Sequence, residues 1–243
     1  MRTIFTFAVF VCLCASLPTL GQARPHGSNI PSRPVSSFSI RDLNMIDALL
    51  QLGQEQRIPI GIEYIDAAAA FSSRITLHEQ DTTVGRLLDT IAHGQDYSWF
   101  ADRGVIIVTH NGALQGRKNL LHIRISQFTI AREVTLQAAS LQLLGKLYFV
   151  LHPHATGIAG DYPSGNPQFL VGPWAMRNAT LRQILNRIVS QHNNGAWVLQ
   201  QAPWNLDKEP DYGLWRVFEC DGSNGAKYSG LLQVWGLGLH DPE

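Results

Sequence analysis

Two segments of the chain share one pattern of apolar and polar positions, and both predict an amphipathic helix. The first runs from Asp81 to Ile91 and the second from Asn178 to Ile188. In each, a short polar stretch with a Thr precedes apolar residues at positions i, i+3, i+4 and i+7, which line one face of a helix. These residues are Val84, Leu87, Leu88 and Ile91 in the first segment, and Leu181, Ile184, Leu185 and Ile188 in the second. One α/β unit used twice is the simplest interpretation.

The residues around the first helix predict a βαββαββ order between 38 and 110. A short strand at Phe38–Ile40 is followed by a helix that Asp42 caps and Gly53 ends. Apolar residues then alternate over 58–64, which predicts a strand with one wet face, and Pro59 favours an edge or initial position in it. The remaining predicted elements are a strand at 74–78, the first repeated helix, and a hairpin of 97–101 with 104–109.

The second half predicts the same order with longer loops. The stretch 111–119 has no apolar rhythm and marks the domain boundary. The second domain, 120–219, begins with a strand at 121–125. A helix marked by Leu136, Ala139, Leu143, Leu144 and Leu147 comes next, and further strands are predicted near Ile158 and at 169–171, 197–199 and 214–218. The predicted fold class is α+β: two small βαββαββ modules in tandem, with helices packed on short mixed sheets, and a flexible tail over 220–243.

The first 23 residues have the layout of a secretory signal peptide. Arg2 precedes an apolar run that ends at Leu17, and small residues lead to a cleavage position after Ala23. An uncleaved membrane anchor is the alternative. Residues 24–37 contain three Pro and four Ser and predict a flexible linker. We therefore expect a periplasmic or secreted protein with no transmembrane segment after cleavage.

Charge and cysteine content narrow the classes of partner. The full chain has 19 basic and 19 acidic residues. Nucleic acid is not an expected partner, because phosphate binding needs clustered Lys and Arg. Cys12 and Cys14 lie in the leader, which leaves Cys220 without a partner for an intrachain disulfide.

Residues 38–110 resemble the short N-terminal domain shared by secretins and TonB-dependent transducers of Gram-negative outer membranes, and 120–219 resembles it more weakly. The resemblance is carried by an apolar spacing at Ala48, Leu49, Leu52, Gln56, Ile58, Tyr64, Ile75–Leu77, Thr83, Val84, Leu87, Leu88, Tyr97 and Val105–Val108. It implies a periplasmic domain without an active site that contacts a partner protein. This chain has neither the barrel of a transporter nor the ring-forming region of a secretin.

The expected function is therefore that of a non-catalytic, exported protein-interaction module. It would bind an envelope protein by adding a partner strand to an exposed sheet edge. No catalytic motif is present, and neither a cofactor nor a metal is expected. An enzyme with dispersed catalytic groups remains a further alternative.

A second function is a module that binds cell-wall glycan or a small ligand. The residues that favour it are Trp204 and Trp174, which could stack on a sugar, together with the loop from His152 to Pro167. His152 and His154 could offer two imidazoles to one metal with Asp161 nearby, but histidines in a loop are commonly just solvated, and a metal site is not expected here. His93 and His192 follow the two repeated helices, where an imidazole suits the negative end of the helix dipole.

Overall fold

The computed structural model describes residues 30–64, 72–112, 119–151, 170–191, 195–200 and 214–218. These residues form a mixed α/β fold with four α-helices and short sheets. In chain order its elements are β1 (Pro34–Leu43), α1 (Met45–Gln56), β2 (Ile60–Tyr64), β3 (Ile75–Thr83), α2 (Val84–His93), β4 (Tyr97–Asp102), β5 (Val105–His110), a 3-10 turn (Leu120–His122), β6 (Arg124–Ile130), β7 (Val134–Thr135), α3 (Leu136–Leu151), β8 (Leu170–Val171), β9 (Trp174–Thr180), α4 (Leu181–Ser190), β10 (Ala196–Gln200) and β11 (Leu214–Phe218).

The largest sheet has five strands in the order β11-β10-β2-β5-β4. Strands β10, β2 and β5 are parallel, whereas β11 and β4 each pair antiparallel with their neighbour. The sequence predicted a sheet for each module, but β10 of the second half pairs directly with β2 of the first. The two halves therefore share one mixed sheet.

This sheet forms the middle layer of the molecule. Along β2, Ile60, Ile62 and Tyr64 point toward a core that also contains α1 and α2. On the opposite face, residues such as Ile107 and Trp197 belong to a second core with α3 and α4. Helices thus cover both faces, which is the arrangement that makes parallel strands apolar throughout.

Strand β2 differs from its predicted role. All five of its residues are buried, and it lies in the centre of the sheet. The prediction of one wet face is wrong, because the second half of the chain covers that face. The edge position considered for Pro59 is wrong as well. Its initial position is confirmed: Pro59 directly precedes β2, and its carbonyl accepts a hydrogen bond from the Ile106 amide at 3.0 Å.

Two antiparallel ribbons, β1–β3 and β6–β9, accompany the sheet. Their strands pair in matching registers: Val35 lies opposite Thr82, and Ile125 lies opposite Ala179. Asp81 in β3 directly precedes Thr82, and Asn178 in β9 directly precedes Ala179. Both residues have a left-handed backbone, with φ of 48° and 47°. The buried positions also correspond: Val35, Phe38 and Ile40 in β1, and Ile125, Phe128 and Ile130 in β6.

The repeated helices form as the sequence predicts. Thr83 caps α2 by accepting a hydrogen bond from the Arg86 amide, and Thr180 caps α4 by accepting one from the Gln183 amide. In α4 the Gln183 side chain also accepts from the Thr180 amide at 3.0 Å, which completes a capping box. All eight residues of the two predicted apolar stripes are buried.

Helix α1 begins and ends later than its sequence suggested. Asn44, not Asp42, is the N-cap and accepts a hydrogen bond from the Asp47 amide. Asp42 lies at the end of β1 and has φ of 53°. Gly53 lies inside the helix, which ends at Gln56 with Arg57 in the left-handed conformation. Gly53 fits there because a Cβ atom would approach the Ile60 side chain to 3.0 Å.

Several boundaries also shift. The last residues of the predicted linker, 34–37, belong to β1, because that strand is longer than the Phe38–Ile40 segment expected. In the second half the first two residues of the predicted strand at 121–125 lie in a 3-10 turn, and the strand begins at Arg124. Helix α3, the β4–β5 hairpin, β10 and β11 are confirmed. The leader, the strand near Ile158 and the 220–243 tail lie outside the described residues.

Candidate interaction surface

Only one of the four predicted binding residues lies within the described chain. Trp174 begins β9 and is half-buried. His152, His154 and Trp204 lie outside the described residues, as do His192 and Cys220.

Trp174 is held by three neighbours. Its indole Nε1 donates a hydrogen bond to Gln191 Oε1 at 3.1 Å, and its ring lies 5.6 Å from that of Phe128 at a tilt of 52°. The Arg187 guanidinium carbon lies 6.0 Å from the indole centroid. The same Gln191 oxygen accepts from the Gly172 amide at 2.8 Å. These contacts tie the ring to β6 and to the end of α4, a structural role that fits an aromatic residue with one polar atom.

A buried carboxylate that the sequence analysis missed lies at the centre of the molecule. Glu63 in β2 has no solvent exposure. Asn119 Nδ2 donates to its Oε1 at 2.7 Å, and Thr109 Oγ1 donates to its Oε2 at 3.1 Å. Arg182 Nη2 on α4 forms an ion pair with Oε2 at 3.4 Å. A carboxylate can remain buried when both oxygens are bonded and a cation faces it.

A second polar chain lies on the same face of the sheet. Trp197 Nε1 donates to Asn186 Oδ1 at 2.8 Å, and Asn186 Nδ2 donates to Asp102 Oδ2 at 3.0 Å. The indole of Trp197 lies over Gly61 of β2, where a Cβ atom would come within 2.2 Å of the ring. Gly61 therefore provides the space for the ring.

These two networks join the two halves of the chain. Arg182 and Asn186 belong to α4 of the second half, whereas Glu63 and Asp102 belong to strands of the first. Glu63 and Asn186 are buried. The arrangement fixes the position of α4 on the sheet, because a shift of α4 along the sheet would leave buried polar groups without their partners.

The outer strand β4 is one of the two edges of the described five-stranded sheet, and β11 is the other. It pairs with β5 on one side, and no other described strand pairs with it. Ser98, Phe100 and Ala101 are exposed, and 39% of the Phe100 side chain is accessible to solvent. The Arg182 guanidinium carbon lies 5.8 Å from the Phe100 ring centroid. An open edge with an exposed aromatic residue is a site where another strand can add.

The direction of the β4 backbone groups follows from the sheet. Ile106, opposite Ala101, donates its amide to Pro59 on the β2 side. Ala101 is therefore in a non-hydrogen-bonded pair with Ile106, and its own amide and carbonyl point outward. By the alternation of an antiparallel ladder, the backbone groups of Trp99 point outward too. The Asp96 carbonyl points the other way, toward β5, as expected for the residue next to Tyr97 in the alternation. It accepts a hydrogen bond from the Asn111 amide at 2.8 Å.

A surface groove of about 340 Å³ lies between β6 and α3, and its lining residues are Gln127, Phe128, Thr129, Gln142 and Lys146. Four of these five lining residues are of polar type, and one of them, Lys146, is a cation. Across the described ranges, no three His, Cys, Asp or Glu side chains lie close enough to share a metal ion. No helix among these residues has the length and apolar character needed to cross a membrane.

Comparisons with protein-family models, curated proteins and solved structures give no significant match to this chain. The geometry of its own residues is therefore the basis for assigning a function.

Sequence analysis did not identify Glu63 or β4 as features of interest. Glu63 alternates with Ile60, Ile62 and Tyr64, a pattern that also occurs when a strand faces solvent. The signal that could have indicated β4 is its content: a hairpin strand of Tyr97 to Ala101 without Lys, Arg or Pro, the residues that usually protect an edge.

Proposed function

We propose that this protein is a non-catalytic, exported protein-interaction module built from two related βαββαββ units. Four features support the relation between the units: the matching ribbon registers, the paired left-handed residues Asp81 and Asn178, the Thr caps, and the two helical stripes. Such agreement follows naturally from duplication, because each feature needs particular residues at fixed offsets.

In this proposal the two units differ in the strand with which their last hairpin pairs. In the first half β5 pairs with β2 of its own unit, whereas in the second half β10 pairs with that same β2. The units would therefore work as one body with a common sheet. The resemblance of residues 38–110 to the short N-terminal domain of secretins and TonB-dependent transducers supports a role in protein binding.

The observation that carries the proposed function is the open edge of β4. Strand addition uses the outward amide and carbonyl groups of Trp99 and Ala101 for affinity, and nearby side chains for specificity. Exposed Phe100 supplies an apolar contact beside that edge. The leader sequence supports export, and an envelope protein is the expected partner.

Photo-crosslinking tests this function. A photoreactive residue at Ser98, whose side chain is exposed, should capture a partner in the cell envelope when the tagged full chain is expressed in its native host. Ala101→Pro removes an outward donor and should abolish the crosslink. Ala101→Ser keeps the backbone donor and should retain the crosslink.

The pair of variants separates edge binding from other modes. Circular dichroism should show that both variants remain folded, because Ala101 does not bond to β5 through its amide. Equal crosslinking by the Pro and Ser variants, or no crosslink from the wild-type edge, would contradict strand addition at β4.

A further inference from the structure

Strand β4 lacks the features that usually keep sheet edges apart. Between Tyr97 and Ala101 it contains no charged residue and no Pro, and its ladder with β5 runs without a register break. The β1–β3 ribbon differs, because it contains Pro34, Arg41, Glu79 and Asp81 together with a register shift. Charges, prolines and bulges are the usual means of preventing edge pairing. The β4 edge is thus suited to a partner strand.

Only alternate residues of β4 direct their backbone groups away from β5, and this limits the registers in which two copies of β4 could pair. In an antiparallel pair, residues with outward amides must lie opposite one another, and here those residues are Tyr97, Trp99 and Ala101. In a symmetric antiparallel pair, one residue lies opposite its own copy at the two-fold axis. Either Trp99 or Phe100 can take that position while β4 of each copy stays paired.

The two registers differ in charge. Centred on Trp99, the pairing sets Asp102 of each copy against Asp96 of the other, so two like-charged pairs oppose association. Centred on Phe100, it sets Asp102 against Ser98, whose hydroxyl can donate to the carboxylate. Of these two registers, only the second keeps Asp102 away from Asp96 of the other copy.

The Phe100 register also matches side-chain sizes. The exposed rings of Phe100 from the two copies meet at the axis in a non-hydrogen-bonded pair, where side chains are closest. On the other face Trp99 lies opposite Ala101, a large residue beside a small one.

We propose that the strand added at β4 is β4 of a second copy of this chain, in the antiparallel register centred on Phe100. The result is an isologous dimer in which two five-stranded sheets become one continuous sheet. This inference rests on the proposed function, since it names the partner of the same edge. A single strand pair is a small contact, so the dimer forms in a concentration-dependent way.

Disulfide trapping tests the register directly. In the full chain with its three native cysteines replaced by Ser, Phe100→Cys should oxidise to a covalent dimer. The non-hydrogen-bonded position on the axis brings the two Cα atoms to about 4.5 Å, within disulfide range. Ser98→Cys is the matched control: it lies opposite Asp102, far from its own copy, and should remain monomeric.

Sedimentation equilibrium of the wild-type chain provides the second measurement. It should show a monomer–dimer equilibrium, and Ala101→Pro should raise the dimer Kd about tenfold or more, since both copies lose an outward hydrogen bond. Ala101→Ser should leave the Kd nearly unchanged.

The outcomes separate this inference from the proposed function. A disulfide that forms at Ser98 and not at Phe100, or a wild-type chain that stays monomeric, overturns the dimer. If the envelope crosslink still disappears in Ala101→Pro, the edge function stands with a different partner. If neither the Phe100→Cys disulfide dimer nor the envelope crosslink forms, both proposals are overturned.

Discussion

Gly61 shows how one missing side chain allows two elements to pack. It lies in the central strand β2, and the indole of Trp197 occupies the space above it. Trp197 is 1% exposed and also donates to Asn186, so its ring cannot move without breaking a buried hydrogen bond. The contact is steric, and it joins β2 of the first half to β10 of the second.

We predict that Gly61→Ala destabilises the protein by about 1–3 kcal/mol, the usual range for overpacking a core. The new Cβ would lie 2.2 Å from two ring carbons of Trp197, which would have to shift. Urea unfolding followed by tryptophan fluorescence measures the change.

Gly94→Ala is the control for Gly61→Ala, because its Cβ meets nothing within 4 Å and its φ is −85°. We expect the control to change stability by about 0.5 kcal/mol or less. Equal losses in the two variants would contradict the steric explanation.

At the scale of elements, the repeated helices depend on their first turns. Thr180 and Gln183 exchange hydrogen bonds with each other's backbone, so α4 begins at a defined residue. This start also sets which α4 side chains face the sheet, including Asn186 and Arg182. A local cap therefore supports the polar contacts between the two halves.

We predict that Thr180→Ala destabilises the protein by about 1 kcal/mol, the typical effect of losing an N-cap. Thr90→Ala in α2 is the matched control, because Thr90 is exposed and its hydroxyl bonds only to the Arg86 carbonyl one turn earlier. That change should be neutral or slightly stabilising, since Ala has the higher helix propensity. Thermal unfolding of both variants provides the comparison, and a larger loss in Thr90→Ala would contradict the role of the cap.

At the scale of the molecule, the shared sheet makes the halves interdependent. Removing the second half would expose β2 along one edge and uncover Val105 and Ile107, which belong to its core. Glu63 would lose Arg182, and the space above Gly61 would be empty. The domain boundary predicted at 111–119 therefore separates two halves that cover each other's apolar surfaces.

We predict that fragments 24–118 and 119–243 do not fold cooperatively when expressed separately but form a native-like complex when mixed. The reason is that each fragment alone exposes apolar sheet or helix surface that the other normally covers. Proton–nitrogen correlation spectra should show poor dispersion for each fragment and native dispersion for the mixture. A well-dispersed spectrum from fragment 24–118 alone would contradict the prediction.

Much of the local structure could be predicted from the sequence. The stripes of α2 and α4 arise from helical periodicity, and the β4–β5 hairpin arises from two apolar runs around Arg103 and Gly104. Such features depend on residues a few positions apart. The β1 and β6 strands were placed less well, because their registers depend on β3 and β9, whose paired residues lie at least 32 positions away in the sequence.

Less of the candidate interaction surface could be predicted from the sequence. Of the predicted binding residues only Trp174 lies in the described chain, and there it packs between Phe128 and Arg187. Neither the burial of Glu63 nor the outward direction of the Ala101 amide has a local signature. Both depend on which strand lies next to β2 or β5.

The sequence by itself determined where the two apolar stripes, the Thr-containing starts of α2 and α4 and the β4–β5 turn occur, because those features follow from backbone preferences and short-range hydrogen bonds. Only the tertiary structure decided that β10 lies beside β2, that Glu63 is buried and that β4 forms an open edge. Strand pairing uses backbone groups that every residue except Pro has, so side-chain identity alone does not specify the neighbour. The choice is made when both faces of the sheet are covered and the buried polar groups find their partners.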